Sequence, residues 1–360
     1  MDAVDTALVD ISNNHIKLID YRQYPITHEL KKALKTVTGN TSIDFMTRLD
    51  VRMGRLFADA VSALLHDNKL DKREIIAIGC HGQTLLHRPE PPEPATLQIG
   101  DPNIIAYVTG ITTVADFRRM DIAAGGQGAP LTPVLHSHLF RHLTRNRAVV
   151  NIGGMANVTI LPAMNTNNPV YGFDTGPGNV FLDEWAYQHT GQPMDTDGCW
   201  AASGTPNIKL LEHLLRDDYF FLAPPKTTGR DYFNLHWLQA KLESFSQNCA
   251  AQDIQATLVQ FTAFTIANSI NTHAPSTHDV IVCGGGVHNP QLMQTLIRNL
   301  ATRDVKPAGD LGINPDALEA IAFAWLARCR IAGITGNLPA VTGASSPVLL
   351  GCIYAAVTKY

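Results

Sequence analysis

Gly172-Phe173-Asp174-Thr175-Gly176-Pro177-Gly178-Asn179 is the stretch on which the reading of this chain turns. Three glycines and a proline break any regular element, a carboxylate sits among them, and a helical stretch follows over 180–189. Two further turns of the same kind close short apolar runs: Asn151-Ile152-Gly153-Gly154-Met155-Ala156-Asn157, and Gly284-Gly285-Gly286-Val287-His288-Asn289. Glycine lets a backbone approach phosphate oxygens and aim its N–H groups at them. A single such turn is ordinarily just a tight turn. Three in one half of a chain point to a nucleotide site. Asp174 has two readings at this stage: a base that takes a proton from a hydroxyl or water, or an Asx-type turn or helix cap.

Other nucleotide and hydrolase signatures are absent. There is no G-x-x-x-x-G-K-[ST], and Gly176-Pro177-Gly178 gives only the start of G-x-G-x-x-G, since Phe181 stands where the third glycine belongs. The G-x-S-x-G elbow of serine hydrolases is missing too.

The rest of the chain is that of an α/β enzyme. Its 360 residues exceed one ordinary core and predict two domains. Apolar residues make up 45% and charged residues 17%, with 27 Gly and 21 Pro, a globular and loop-rich composition. A net charge of −4 with scattered basic residues argues against a nucleic-acid or anionic-membrane partner. Apolar runs fall well short of the roughly 20 residues of a membrane helix and no leader-like segment opens the chain, so a cytoplasmic protein is expected. The six cysteines have neither CxxC pairs nor metal-ligand spacing and read as reduced thiols.

Periodicity predicts a strand over 3–11, then a helix capped by Ser42 with Leu49, Met53, Leu56, Phe57, Ala60, Val61 and Leu64 on one face. Strands are expected at 75–78, 96–99, 112–115, 148–152, 158–161 and 280–283, and helices at 180–189, 258–270 and 315–331. The glycine-rich 125–130 reads as a crossover between domains. In the segment 79–87, Gln83, Thr84 and His87 follow a strand, and with Asp116 and Arg118 they are either ligands for sugar hydroxyls or a solvated polar loop.

Taken in order, Gly82-Gln83-Thr84, Thr96-Leu97-Gln98-Ile99-Gly100-Asp101-Pro102, Ala115-Asp116-Phe117-Arg118, 123–130, 150–157, 172–179, Lys226-Thr227-Thr228-Gly229-Arg230 and Thr342-Gly343-Ala344 resemble the anhydro-N-acetylmuramic acid kinases, nearly end to end. That family shares a superfamily with actin, hexokinase and the Hsp70 ATPase. The resemblance implies two actin/hexokinase-like α/β domains, 1–125 with about 340–360 and 126–339, each a mixed sheet flanked by helices, with ATP and sugar meeting in an interdomain cleft. It implies a double reaction in peptidoglycan recycling: water opens 1,6-anhydro-N-acetylmuramic acid and O6 takes the γ-phosphoryl of ATP. Carried over residue by residue, Asp174 is the base. Gln83, Thr84, Arg118 and Glu319 hold the sugar. Asp2, Gly153, Gly154, Asn157, Thr175, Gly176, Gly178, Gly284, Gly285 and Gly286 surround the nucleotide. ATP with Mg²⁺ is the expected co-substrate and a homodimer the expected assembly.

One departure stands out. Family members begin with a strand and a loop reading approximately Ser-Gly-Thr-Ser before the Met-Asp with which this chain starts. The first domain is therefore expected to lack a sheet member and part of its anion site. Two explanations compete: a natural chain that is longer than this sequence, or a truncated nucleotide- or sugar-binding relative without turnover, recognised by binding without phosphoryl transfer. A glycoside hydrolase, which shares water attack at an anomeric carbon, is the third reading, recognised by product formed without ATP.

Overall fold

The computed structural model describes residues 3–12 and 15–356. Its strands are β1 (Ala3–Ser12), β2 (His15–Pro25), β3 (Ile78–Gly79), β4 (Gln83–Arg88), β5 (Ala95–Ile99), β6 (Thr113–Ala115), β7 (Arg147–Ile152), β8 (Met155–Leu161), β9 (Tyr171–Pro177), β10 (Asp279–Cys283), β11 (Asp304–Pro307) and β12 (Cys352–Tyr354). The chain divides into two compact units, Met1–Leu135 with Ala317–Tyr360, and His136–Asp316.

The second unit is built on one mixed sheet in the order β11-β10-β7-β8-β9. β10 runs parallel to β7 and β11, while β7–β8 and β8–β9 are antiparallel. Ala148, Val149 and Val150 in β7 and Val280, Ile281 and Val282 in β10 are fully buried, as a central strand covered on both faces requires. The helix Ala251–His273 carries Leu258, Phe261, Ala263, Ile266, Ala267 and Ile270 into the same core. Each large apolar side chain so buried contributes roughly 1.5–3 kcal/mol.

β7, β9 and β10 point the same way, because β9 lies two antiparallel steps from β7. Their carboxyl ends therefore share one edge of the sheet, where the turns at Gly153 and Gly284 begin; the loop expected over 174–179 is instead strand as far as Pro177, because it pairs with β8, and only Gly178 and Asn179 form the turn after β9.

The first unit holds several smaller sheets. β1 and β2 form an antiparallel hairpin, β4 and β5 another, and β12-β6-β3 a three-stranded mixed sheet. The single mixed sheet expected for this domain is thus divided: among the described residues β1 pairs only with β2, and β3 only with β6. The helix Leu318–Ile331 packs on β1, β3 and β6 alike. The helix Ile43–Asp67 starts where expected, with Ser42 Oγ accepting from Phe45 N at 3.2 Å. Its Leu49, Met53 and Leu56 pack on Ile26, Leu30, Leu34 and Ile99.

Two further expectations are corrected. Of the strand read at 75–78, only Ile78 pairs. Asp71 and Glu74 close a reciprocal capping box that turns 72–74 into a 3₁₀ helix, and Ile76 is 83% exposed. The domain boundaries also move, from 125/126 and 339/340 to 135/136 and 316/317. The glycine-rich 125–130 is bound into the first unit by hydrogen bonds to Thr342, Ile122 and Asp121, and the helix Leu318–Ile331 belongs there through its packing on β1 and β3.

Candidate functional site

In the second unit the three glycine turns meet. Gly178 N donates to Gly154 O at 2.8 Å and Asn179 N to Gly153 O at 2.8 Å, so the turn after β9 is seated on the turn between β7 and β8. The third turn closes on the same point: a Cβ at Gly284 would strike the Ile152 carbonyl, and one at Gly286 the Ile152 side chain. Gly284 also needs its φ of +78°, which favours glycine. Asn179 Nδ2 reaches Ile152 O at 3.2 Å and would lie 3.7 Å from a Cβ on Gly285.

Asp174 lies on β9 opposite Asn157 of β8, next to an irregularity in which Ala156 pairs with Gly176 and Thr175 is the extra residue. The bulge turns Thr175 into the core, where it is fully buried and donates its hydroxyl to Ala156 O at 3.2 Å. Thr175, expected at the nucleotide, therefore supports the turn from beneath. Gly176, at φ +135°, packs against the Phe220 ring.

The catalytic candidate is held from outside the sheet. Thr227 Oγ1 and Thr228 N each donate to Asp174 Oδ2 at 2.9 Å, Asp174 N donates to Lys226 O at 3.0 Å, and Tyr219 OH to Asp174 O at 2.7 Å. Among the described residues no hydrogen bond reaches Oδ1. Burial holds the Asp174 carboxyl above the ordinary aspartate range, and the Thr228 and Thr227 donors oppose the shift. A carboxylate with one oxygen pinned and the other free, and with raised basicity, has the attributes of a general base. The capping reading of Asp174 is not what is found: the helix Val180–Thr190 has Asn179 at its N-cap.

The run Lys226-Thr227-Thr228-Gly229-Arg230 was singled out in the sequence without a role. It supplies both of the donors to Oδ2 and brings a cation to the glycine turns, since a Cβ on Gly154 would come within 3.2 Å of Arg230 Nη2. Asp183, one turn into the helix Val180–Thr190, was also missed. Burial pushes its carboxyl up to about 6, with Arg230 pulling the other way and Glu184 adding to the rise. A helical aspartate after a glycine turn has no sequence signal beyond position, because its desolvation arises from tertiary packing.

A separate group forms in the first unit. Arg118 donates from Nε to His81 Nε2 at 2.9 Å and from Nη1 to Gly128 O at 2.7 Å. Burial, with the Arg118 charge adding to it, lowers the His81 pKa to about 3, so the ring is neutral and accepts. Glu319 is near enough to raise the Arg118 pKa against the desolvation that lowers it. Its own carboxyl is held up by desolvation despite solvent contact, with Arg118 opposing and Asp5 reinforcing the rise. Gln83 and Thr84 are half-buried on β4. Gln83 Nε2 donates to Thr84 O at 3.1 Å and Thr84 Oγ1 accepts from Gln98 Nε2 at 3.2 Å. His87 Nδ1 pairs with Thr96 Oγ1 at 3.0 Å, and Asp116 is held at φ +60°, a strained conformation for a non-glycine residue. Asp2 lies outside the described residues.

Glycine turns converging at the carboxyl ends of like-directed strands, beside a half-buried carboxylate, are the arrangement of a phosphate-handling α/β enzyme. The family model for anhydro-N-acetylmuramic acid kinase matches residues 1–356. The chain is 47% identical to the anhydro-N-acetylmuramic acid kinase of Photobacterium profundum, covering 99% of this chain and 96% of that one. To that of Vibrio cholerae serotype O1 it is 48% identical, covering 98% and 95%. The chain belongs to the anhydro-N-acetylmuramic acid kinase family. Among solved structures, the activator of the 2-hydroxyisocaproyl-CoA dehydratase from Clostridium difficile with bound ADPNP is 12% identical, covers 92% of this chain and 97% of that one, and superposes with a TM-score of 0.42, too slight a likeness to build on.

Proposed function

We propose that this protein is the ATP-dependent kinase of 1,6-anhydro-N-acetylmuramic acid that its family membership implies, with Asp174 as the base. Water attacks the anomeric carbon and gives one proton to Asp174 Oδ1, the C1–O6 bond breaks, and O6 takes the γ-phosphoryl as ADP leaves. N-acetylmuramic acid 6-phosphate and ADP are the products. The observation that carries the assignment is the fixing of Asp174 Oδ2 by two donors at 2.9 Å while Oδ1 stays free.

Phosphoryl transfer needs mainly positioning and charge neutralisation. The joined turns at Gly153, Gly154, Gly178, Gly284, Gly285 and Gly286 supply close-approaching backbone, and Arg230 a guanidinium beside them. Asn157 sits next to Asp174 across the β8–β9 pair. Arg118, Glu319, Gln83 and Thr84 are the sugar's partners in this reading. Among the described residues no cluster of three or more His, Cys, Asp or Glu could cage a metal. That suits Mg²⁺ held chiefly by nucleotide phosphates and water; there it would neutralise charge on the transferring group. No described helix is long and apolar enough to cross a membrane. A cytoplasmic homodimer is part of the proposal, and no observation favours a binding protein without turnover.

The test is ADP release with Mg·ATP and the anhydro sugar, run beside Asp174→Asn. We expect sugar-dependent release that falls by roughly 10²–10⁴-fold in the variant, the usual worth of a general base. ADP release independent of sugar, or an Asn variant that keeps full activity, overturns the assignment.

A further inference from the structure

Asp121 has no solvent exposure, and every hydrogen bond found to its carboxylate comes from a neutral group. Gly128 N donates to Oδ2 at 2.7 Å; Asn337 Nδ2 and Thr342 Oγ1 each donate to Oδ1 at 2.7 Å. Burying a carboxylate without a cation is costly, and three short donors are the kind of compensation that makes it tolerable. The surrounding loop is built for the approach. Gly126 N donates to Asp121 O at 2.9 Å, a Cβ on Gly126 would collide with the Asp121 carboxylate, and Gly128 holds a φ of +67°. Gln127 N donates to Thr342 O at 2.7 Å and Ser345 N to Ala124 O at 2.8 Å, so the loop is stitched to the chain's last segment around this one side chain.

Gly128 is held from both sides. Its N–H goes to Asp121, and its carbonyl takes Arg118 Nη1 at 2.7 Å. Resting on the reading of Arg118 as a sugar ligand, we propose that Asp121 is a positioning residue: it fixes Gly128, whose carbonyl, with His81 Nε2, aims the Arg118 guanidinium at the sugar. Asn cannot replace it. With a single acceptor oxygen, an asparagine turns its NH₂ either on Gly128 N–H or on the Asn337 and Thr342 donors. A loosened Gly128 carbonyl gives Arg118 a range of orientations and weakens sugar binding without touching the glycine turns that serve ATP.

The experiment is steady-state kinetics of the full chain with Mg·ATP and 1,6-anhydro-N-acetylmuramic acid for Asp121→Asn, Gly126→Ala, Arg118→Ala and the Asp121→Asn/Arg118→Ala double variant. Gly126→Ala displaces the carboxylate without removing it and serves if Asp121→Asn does not fold. Ser42→Ala, which removes a helix cap in the same unit, controls for lost stability alone. Expected are a sugar KM raised about tenfold in Asp121→Asn and less in Gly126→Ala, an ATP KM within about twofold of the parent, and a double variant no worse for sugar than Arg118→Ala. A sugar KM unchanged in folded Asp121→Asn or Gly126→Ala, effects that multiply in the double variant, or an equal rise in Ser42→Ala overturns the positioning role. An Arg118→Ala enzyme with unaltered sugar KM overturns it too, and takes the sugar-site reading of Arg118 with it.

Discussion

Asp174 Oδ2 receives a side-chain hydroxyl and a backbone N–H, and the two are not equivalent under mutation. Thr227→Val removes the hydroxyl at nearly constant volume and leaves Thr228 N in place. The hydroxyl favours the charged carboxylate, so its loss raises the Asp174 pKa further. A base is active when deprotonated, so the acid limb of the kcat–pH profile should move to higher pH, with kcat near neutrality reduced about tenfold, the scale of one hydrogen bond to a charged group. A pH–rate profile of the variant checks this; an acid limb that stays in place would mean that Thr227 does not tune the base. The glycine turns were legible at this scale, since glycine at those positions is demanded by backbone approach. Thr227, Thr228 and Arg230 were visible as a motif but not as partners of Asp174, because about fifty residues of chain separate them from it and only packing closes that distance.

At the scale of elements, contact between strand and helix is as tight as backbone atoms allow. A Cβ on Gly79 would lie 2.6 Å from the Phe323 carbonyl carbon, so β3 rests directly on the helix Leu318–Ile331. Backbone on both sides cannot rotate away. Gly79→Ala should therefore shift that helix and cost about 1–3 kcal/mol, the range for overpacking, measured as a lower midpoint in urea unfolding. Glu319 is on the same helix, so on the proposed reading of Glu319 as a sugar ligand the sugar KM should rise in this variant. Periodicity found most elements within a few residues: Ser42 does cap its helix, and the buried runs of β7 and β10 are strands. It failed at 75–78, where four apolar or small residues look like a strand and the capping box just before them wins. It also could not place the helix Leu318–Ile331, whose apolar faces fit either unit equally well as a pattern.

Across the whole molecule, buried imidazoles tie stability to pH. His136 is 2% exposed, pairs through Nδ1 with Thr159 Oγ1 at 2.9 Å, and has its pKa lowered to about 3 by burial. In the unfolded chain the same group titrates near 6.5. Between these values the unfolded state binds the extra proton, so the contribution of His136 is fully present above about pH 6.5 and is lost as pH falls toward 3. The slope is up to about 1.4 kcal/mol per pH unit for this one group. Urea midpoints measured from pH 7 to 4.5 should fall, and His136→Gln should fall less steeply; parallel lines for the two proteins would rule the histidine out as the cause.

Length, composition and local periodicity marked by themselves a two-domain α/β chain, because burial periods and backbone demands are written locally. The glycine turns and Asp174 belong to that local record, as do the ordered motifs of the kinase family. Tertiary structure alone decided that three turns far apart in sequence share one sheet edge, that Thr227 and Thr228 hold the Asp174 carboxylate, and that a buried Asp121 anchors the loop that holds Arg118. These depend on strand direction, desolvation and through-space hydrogen bonds, which no local pattern of residues encodes.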